Sequence, residues 1–397
     1  MHTPEARSDV FKIQTLNHIS RHGLDRLPAN LYTVANEVAA PDAVLVRSAD
    51  MHKSPVPVSV KAIARAGAGT NNIPVAEMSA RGVPVFNAPG ANANAVKELV
   101  VAGMLLAARN IADALGFVRG LDASGDLHHK VEAEKKRFVG SELAGKTLGV
   151  VGLGAIGVKV ANAAYALGMR VIGFDPHMTV DGAWQLSAEV AKAGSLNELF
   201  AASDYLSFHV PLNDRTRGVF GAQALEVVRA GIVLLNFARE GIVDATALRE
   251  GLADGRIGRY VSDFPEADLL GDARVIALPH LGASTGEAEE NCAMMVVDQL
   301  RDFLEHGNVR NSVNFPETRM ARTGNARICI ANSNRPNMIG QLSHVLGEAG
   351  VNIAQMHNAS RGELAYSLID VDSPVPDGLV AAIAAIDGIL SVRVIGG

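Results

Sequence analysis

The sequence predicts an α/β protein built of parallel sheets, with a smaller β-α-β-β-α-β unit at its C-terminal end. Three observations predict it. Short apolar runs alternate with helical patterns as far as residue 280. Most of these runs end in polar or Gly-rich sequence, where open α/β sheets place their ligands. Residues 326–397 then change to a strand-helix-strand-strand-helix-strand order.

The elements follow in order. Strands are expected at 43–47, 62–65 and 83–86, and a helix at 94–110. The next strands fall at 147–151, 170–174, 205–210, 232–237, 259–264 and 274–278, with helical patterns such as 158–167 and 245–253 between most of them. Six strands in β-α order suffice for a doubly wound, dinucleotide-binding domain. A long helical pattern covers 287–306, Asn311-Ser-Val-Asn-Phe-Pro316 follows, and the polar stretch after it through Gly324 reads as a linker. The C-terminal unit has strands at 327–331, 352–357, 364–370 and 389–395 and helices at 336–348 and 378–386. Pro336 suits the first turn of its helix. The expected domains are 1–93 with 281–316, then 94–280, then 326–397.

Composition excludes several classes. A chain of 397 residues exceeds one hydrophobic core. With 48% hydrophobic and 20% charged residues it reads as globular and soluble. A net charge of -6 gives no reason to expect nucleic acid as a partner. The longest apolar run, 99–108, is too short for a bilayer, so no membrane partner is expected. The segment Met1 to Val10 has no apolar core, so no signal peptide is expected. Cys292 and Cys329 sit in no metal or redox spacing, which predicts no metal and a cytoplasmic setting.

The segment Gly149-Val-Val-Gly152-Leu-Gly154-Ala-Ile-Gly157 carries G-x-G-x-x-G between a strand and a helix. Gly152 permits the tight turn, Gly154 lets the backbone approach a pyrophosphate, and Gly157 lets helix pack on strand. The helix N-terminus offers free N–H groups to phosphates. Asp175 lies eighteen residues beyond Gly157, at the end of the next strand. A carboxylate there accepts from both ribose hydroxyls and repels a 2′-phosphate, which predicts NAD rather than NADP.

Further segments carry a resemblance. Arg65-Ala-Gly-Ala-Gly-Thr-Asn-Asn-Ile73, Asn87-Ala-Pro-Gly90, His209-Val-Pro-Leu212, Asn236-Phe-Ala-Arg239 and Pro279-His-Leu-Gly-Ala-Ser-Thr285 resemble signatures of the D-2-hydroxyacid dehydrogenase family. The likeness runs over nearly the whole chain. It implies two Rossmann-like domains, one for substrate and one for NAD, followed by a ferredoxin-like ACT domain. It also implies NAD-dependent oxidation of D-3-phosphoglycerate to 3-phosphohydroxypyruvate, the first step of serine synthesis. The rivals are the same chemistry on hydroxypyruvate or glyoxylate, and an NAD-sensing regulator without turnover.

The residues support this chemistry on their own terms. Oxidising a 2-hydroxy acid needs a cation for the carboxylate and a base for the hydroxyl proton. Arg239 and His280 each follow a strand at the cofactor edge of the sheet. A guanidinium grips a carboxylate, and a histidine titrates near working pH. The resemblance makes His280 the acid/base and adds a carboxylate partner, matching Asp268 first and Glu266 second. It places Ala155 and Ile156 over the pyrophosphate and His209, Pro211 and Thr216 beside the adenosine. His209 reads as a packing or positioning residue rather than a catalytic one. Phe237, Ala238, Asp263 and Gly282 complete the cofactor set, with Asp263 toward the carboxamide.

On the substrate side, the resemblance gives the N–H groups of Ala68 and Gly69 to the carboxylate. Arg47, Ser48, Arg65 and Lys135 are the candidates for a phosphate. Lys135-Lys-Arg137 also reads as an ordinary solvated face. In the C-terminal unit, Ala331-Asn-Ser-Asn-Arg-Pro336 and Gly350-Val-Asn-Ile353 resemble ACT loops. They imply that Asn332, Asn334 and Asn352 bind L-serine between copies of a homodimer or homotetramer. Asn332 stands where serine-inhibited relatives carry histidine, and an amide can still donate and accept. The linker reading implies that a chain ended after Pro316 keeps its activity.

Overall fold

A computed structural model describes residues 10–122 and 125–396. The N-terminal segment read above for a signal peptide therefore lies outside the described residues up to position 9. The chain divides into two compact units, 1–91 with 289–397, and 92–288.

The second unit holds a seven-stranded parallel sheet. Its strands are β6 (Thr147–Val151), β7 (Arg170–Phe174), β8 (Ala191–Lys192), β9 (Tyr205–Phe208), β10 (Ile232–Asn236), β11 (Ile257–Ser262) and β12 (Val275–Ala277). Their order is β12-β11-β10-β9-β6-β7-β8. The chain reverses direction across the sheet between β6 and β9, which is where a doubly wound sheet opens its ligand crevice. Strands β6, β9 and β10 are buried along their whole length, so they read as continuous apolar runs rather than alternating ones. Helix Ala93–Ala108 packs on this sheet, and Gly103 lets it approach Phe237 and Val261.

The first unit contains two sheets. One is parallel, in the order β2-β1-β3-β4-β5, with β1 (Phe11–Leu16), β2 (Tyr32–Ala35), β3 (Ala43–Val46), β4 (Ala62–Arg65) and β5 (Val85–Phe86). The other is antiparallel, β14-β15-β13-β16, with β13 (Ala326–Ser333), β14 (Ile353–Arg361), β15 (Leu364–Val371) and β16 (Ile389–Ile395). Its topology is ferredoxin-like.

This antiparallel sheet is covered on both faces. Ile328, Ile330, Ile369 and Val371 pack with Leu342, Leu346 and Ile383 of its own helices. Cys329, Ala331, Tyr366 and Leu368 point the other way, into one core with Ile13, Phe86, Phe303 and Phe315 of the parallel layer. Arg327 and Asp370 face each other across β13 and β15, both with fully buried side chains. Nε and Nη2 of Arg327 donate to Asp370 at 2.6 and 2.9 Å, and Nη1 donates to the carbonyls of His306 and Met320 at 2.8 Å each.

The linker expectation is therefore corrected. Within that stretch Thr318 is fully buried and Met320 nearly so, while Glu317 and Arg319 stay exposed. Thr318 exchanges main-chain hydrogen bonds with Val309 at 2.8 and 3.0 Å, and its hydroxyl donates to the Pro316 carbonyl at 3.1 Å. Polarity misled the reading because these polar groups are satisfied by backbone instead of water. The shared core also removes the reason to expect an intact enzyme after truncation at Pro316.

Candidate functional site

The fingerprint forms the turn its glycines predict. Gly152 has φ +90°, and a Cβ there would come within 2.7 Å of the His209 carbonyl oxygen. A Cβ on Gly157 would collide with the Gly152 carbonyl, while Gly154 faces open space. Helix Ala155–Ala166 starts here without a side-chain cap, so the N–H groups of Ala155 and Ile156 remain open to an anion. Asp175 accepts from the Leu153 N–H and the His177 N–H, each at 2.8 Å. Its carboxylate thus braces the fingerprint loop.

Gly152, Gly154, Asp175 and His177 line a cavity of about 860 Å³ together with His209, Pro211 and Thr216. Thr216 ties its loop together by accepting from the Asn213 N–H at 2.9 Å. His209 Nε2 pairs with Ser207 Oγ at 2.8 Å, and burial pushes the imidazole down to about 3. The buried imidazole therefore stays neutral. Its buried Nδ1 has no partner among the described residues. An apolar wall, a glycine turn and free helix N–H groups fit an adenine dinucleotide.

The chemistry-bearing residues lie beyond the ends of neighbouring strands in the same sheet. Arg239 follows β10, is exposed, and has no carboxylate partner among the described residues. Asn236 braces it by donating to the Arg239 carbonyl at 3.0 Å and accepting from the Ala238 N–H at 3.2 Å. Phe237 and Ala238 between them are buried. Asp263 follows β11 and is 1% exposed. It accepts from the N–H groups of Leu281 and Gly282 at 2.7 Å each. The His280 N–H donates to the Asp263 carbonyl at 3.1 Å.

His280 itself sits at φ +57°, in the left-handed region that few side chains enter. The Asp263 hydrogen bonds hold it there and leave the imidazole exposed, with the Phe264 ring 5.1 Å away. Asn236, Phe264 and the bracing role of Asp263 were not singled out from the sequence. Asn236 opens the quoted motif that ends in Arg239, which was the available signal.

The two candidate carboxylates differ. Asp268 is exposed and lies 3.6 Å from Arg249. Glu266 is half-buried, and its carboxyl is raised by burial first and by the nearby Glu240 charge second. Neither hydrogen-bonds to His280 among the described residues.

In the other unit, the loop after β4 presents the N–H groups of Ala68 and Gly69 with no acceptor among the described residues. Asn87 Nδ2 holds the loop by donating to the Ala68 carbonyl at 2.5 Å. Arg65 Nε donates to the Arg47 carbonyl at 3.1 Å. Arg47 pairs with Glu289, and the exposed Lys135 pairs with Glu132. The Ser48 N–H donates to Asn17 Oδ1 at 3.1 Å.

Asn332 is buried and donates to the Ser333 carbonyl at 2.8 Å. Asn334 donates to the Gly362 carbonyl at 3.0 Å, and Asn352 to Asp372 at 2.7 Å. The registers Asn332↔Ala365 and Ile353↔Val371 put Asn332 and Asn352 at opposite ends of the sheet. At strand rise that is roughly 20 Å within one copy.

The NAD-binding domain of D-isomer specific 2-hydroxyacid dehydrogenases matches residues 101–282. The chain belongs to this family, and its Rossmann unit binds NAD. It is similar to the D-3-phosphoglycerate dehydrogenase of Haemophilus influenzae, 32% identical over 82% of this chain and 79% of that one. The enzyme of the same name from Methanocaldococcus jannaschii is 35% identical over 78% of this chain, which spans 56% of that relative. Among solved structures, an NAD+-bound 3-phosphoglycerate dehydrogenase from Entamoeba histolytica aligns at 25% identity, with a TM-score of 0.59 and 77% and 99% of the two chains covered. A glyoxylate reductase from Paecilomyes thermophila aligns at 26% identity and TM-score 0.64, over 77% and 98%.

Asp175→Ala should raise the Kd for NAD roughly tenfold to a hundredfold and relax rejection of NADP, because it removes a charge-assisted acceptor and loosens the loop. Fluorescence titration with NADH and NADPH reads this. Unchanged discrimination would remove Asp175 from cofactor choice.

Proposed function

We propose that the chain oxidises D-3-phosphoglycerate to 3-phosphohydroxypyruvate in the cytoplasm, with NAD as the hydride acceptor. The observation that supports this most is the pairing, at one sheet edge, of an exposed, uncompensated Arg239 with a His280 held in a left-handed conformation. Arg239 holds the substrate carboxylate and polarises the C2 oxygen. His280 takes the hydroxyl proton on oxidation and returns it on reduction. Ala68 and Gly69 assist the carboxylate through their N–H groups, and Arg47, Arg65 and Lys135 serve the phosphate. The test is NADH formation with D-3-phosphoglycerate beside D-glycerate and other 2-hydroxy acids. A preference for an unphosphorylated acid would move the chain to another substrate of the same chemistry.

Glu266, rather than Asp268, is the carboxyl we assign to tuning His280. Its raised pKa suits a group that exchanges protons with an imidazole, whereas Asp268 faces solvent and Arg249. Glu266→Gln should move a limb of the pH–rate profile, and Asp268→Asn should leave it in place. The reverse pattern would restore Asp268.

We also assign L-serine and a second copy of this chain to the ACT domain. Strand β14 is a nine-residue edge strand, open to pairing with its counterpart. Two-fold pairing would bring Asn352 of one copy toward Asn332 and Asn334 of the other. Calorimetry with L-serine, on wild type and Asn352→Ala, checks this. Absence of heat from the wild type would leave the domain as an assembly device.

A further inference from the structure

A cavity of about 350 Å³ lies in the first unit, at the seam between the parallel layer and the ACT sheet. Lys61 and Arg81 line it from the parallel layer and Arg393 from β16. No aspartate or glutamate lines it. Lys61 is neutralised by Asp42 at 2.7 Å. Arg81 spends its guanidinium mainly on the carbonyls of Val56 and Pro57 at 2.9 and 2.7 Å, with Glu77 more distant at 3.4 Å. Arg393 has no carboxylate partner among the described residues. It donates to the Phe303 and Leu304 carbonyls and lies 4.3 Å over the Phe303 ring. Those carbonyls end helix Gly286–His306, and a helix C-terminus offsets only part of a full charge.

The cavity is thus cationic in a chain whose net charge is -6. A recess with one sign of charge and low-dielectric walls concentrates counter-ions. Arginine forks match phosphate oxygens in geometry, and the volume falls within the range of small-molecule sites. We propose that this seam binds a small phosphate-bearing anion, either inorganic phosphate or a phosphate monoester. Such an anion bridges Lys61 and Arg81 of one layer to Arg393 of the other and so stabilises their docking. Ser59, Ser391 and Tyr366 already donate to the carbonyls of Pro41, Gly82 and Gly307, so the cations carry the binding.

The test is the thermal midpoint of the full chain in saturating NADH, titrated with inorganic phosphate and with glycerol phosphate against chloride of equal ionic strength. Either phosphate should raise the midpoint, since a ligand bound only to the folded state stabilises it. The tighter of the two identifies the source. Lys61→Gln, and Val58→Glu at the 95% exposed rim, should weaken the response roughly tenfold in apparent Kd, the loss expected for one charge-assisted contact. Arg239→Gln should keep it. A chloride response equal to that of phosphate would overturn the proposal. So would a phosphate response that survives Val58→Glu and Lys61→Gln but disappears in Arg239→Gln.

Discussion

Replacing His280 by asparagine is expected to lower kcat by roughly 10²–10⁴-fold, the range for loss of a general base. Asparagine is the informative choice because it tolerates the left-handed φ of +57° at this position. Alanine would add a backbone cost of about 1–2 kcal/mol to the chemical one. The bracing hydrogen bonds come from Asp263 to main-chain N–H groups, so the asparagine variant keeps them. Cofactor affinity should change little. Steady-state kinetics across pH, with NADH binding as the control, checks both halves. Near-normal turnover would remove His280 from proton transfer.

The second large effect concerns stability. Asp370→Asn should destabilise the fold by about 3–5 kcal/mol, the usual cost of stripping one partner from a buried ion pair. Arg327 would keep its bonds to the His306 and Met320 carbonyls but lose its counter-charge. Joint replacement by Arg327→Met and Asp370→Leu should recover much of that loss. Burial pushes the Asp370 carboxyl up, but Arg327 and the Thr323 N–H outweigh it and hold the group below its ordinary 3.8. A carboxyl with a depressed folded pKa stabilises above its unfolded pKa. That contribution is lost as pH falls below about 4 and through the folded value. Urea unfolding of the wild type at pH 7 and pH 3, beside the variants, measures it. A loss under 1 kcal/mol for Asp370→Asn would mean that water reaches the pair.

Much of the architecture was legible because its strands are buried on both faces. Thr147–Val151, Tyr205–Phe208 and Ile232–Asn236 are runs that only a parallel sheet covered by helices accommodates. β1 and β2 were not foreseen. Phe11-Lys-Ile-Gln-Thr-Leu16 buries chiefly Ile13 and Thr15, and Tyr32–Ala35 is an edge strand, so neither shows a long apolar signature. The short helices Val75–Ala80, Val180–Gln185 and Ala222–Val227 are too brief to establish a period. At the site, glycines and strand-end charges were readable because local geometry demands them. The environment of Glu266 was not, because it is set by Glu240 and Arg249.

The two-faced antiparallel sheet has a consequence for how this chain meets a protease. A domain on a tether is cut at the tether and released whole. Here Val309, Phe315, Thr318 and Met320 of the connecting segment are buried in packed side chains, and Val309 and Thr318 bridge to each other through both of their main-chain groups. A protease cleaves what opens, and this segment opens only when the core on both sides of it does. Limited digestion should therefore leave the parallel layer and the antiparallel sheet joined until both are lost together. Ligands of either layer, by the same reasoning, protect the other.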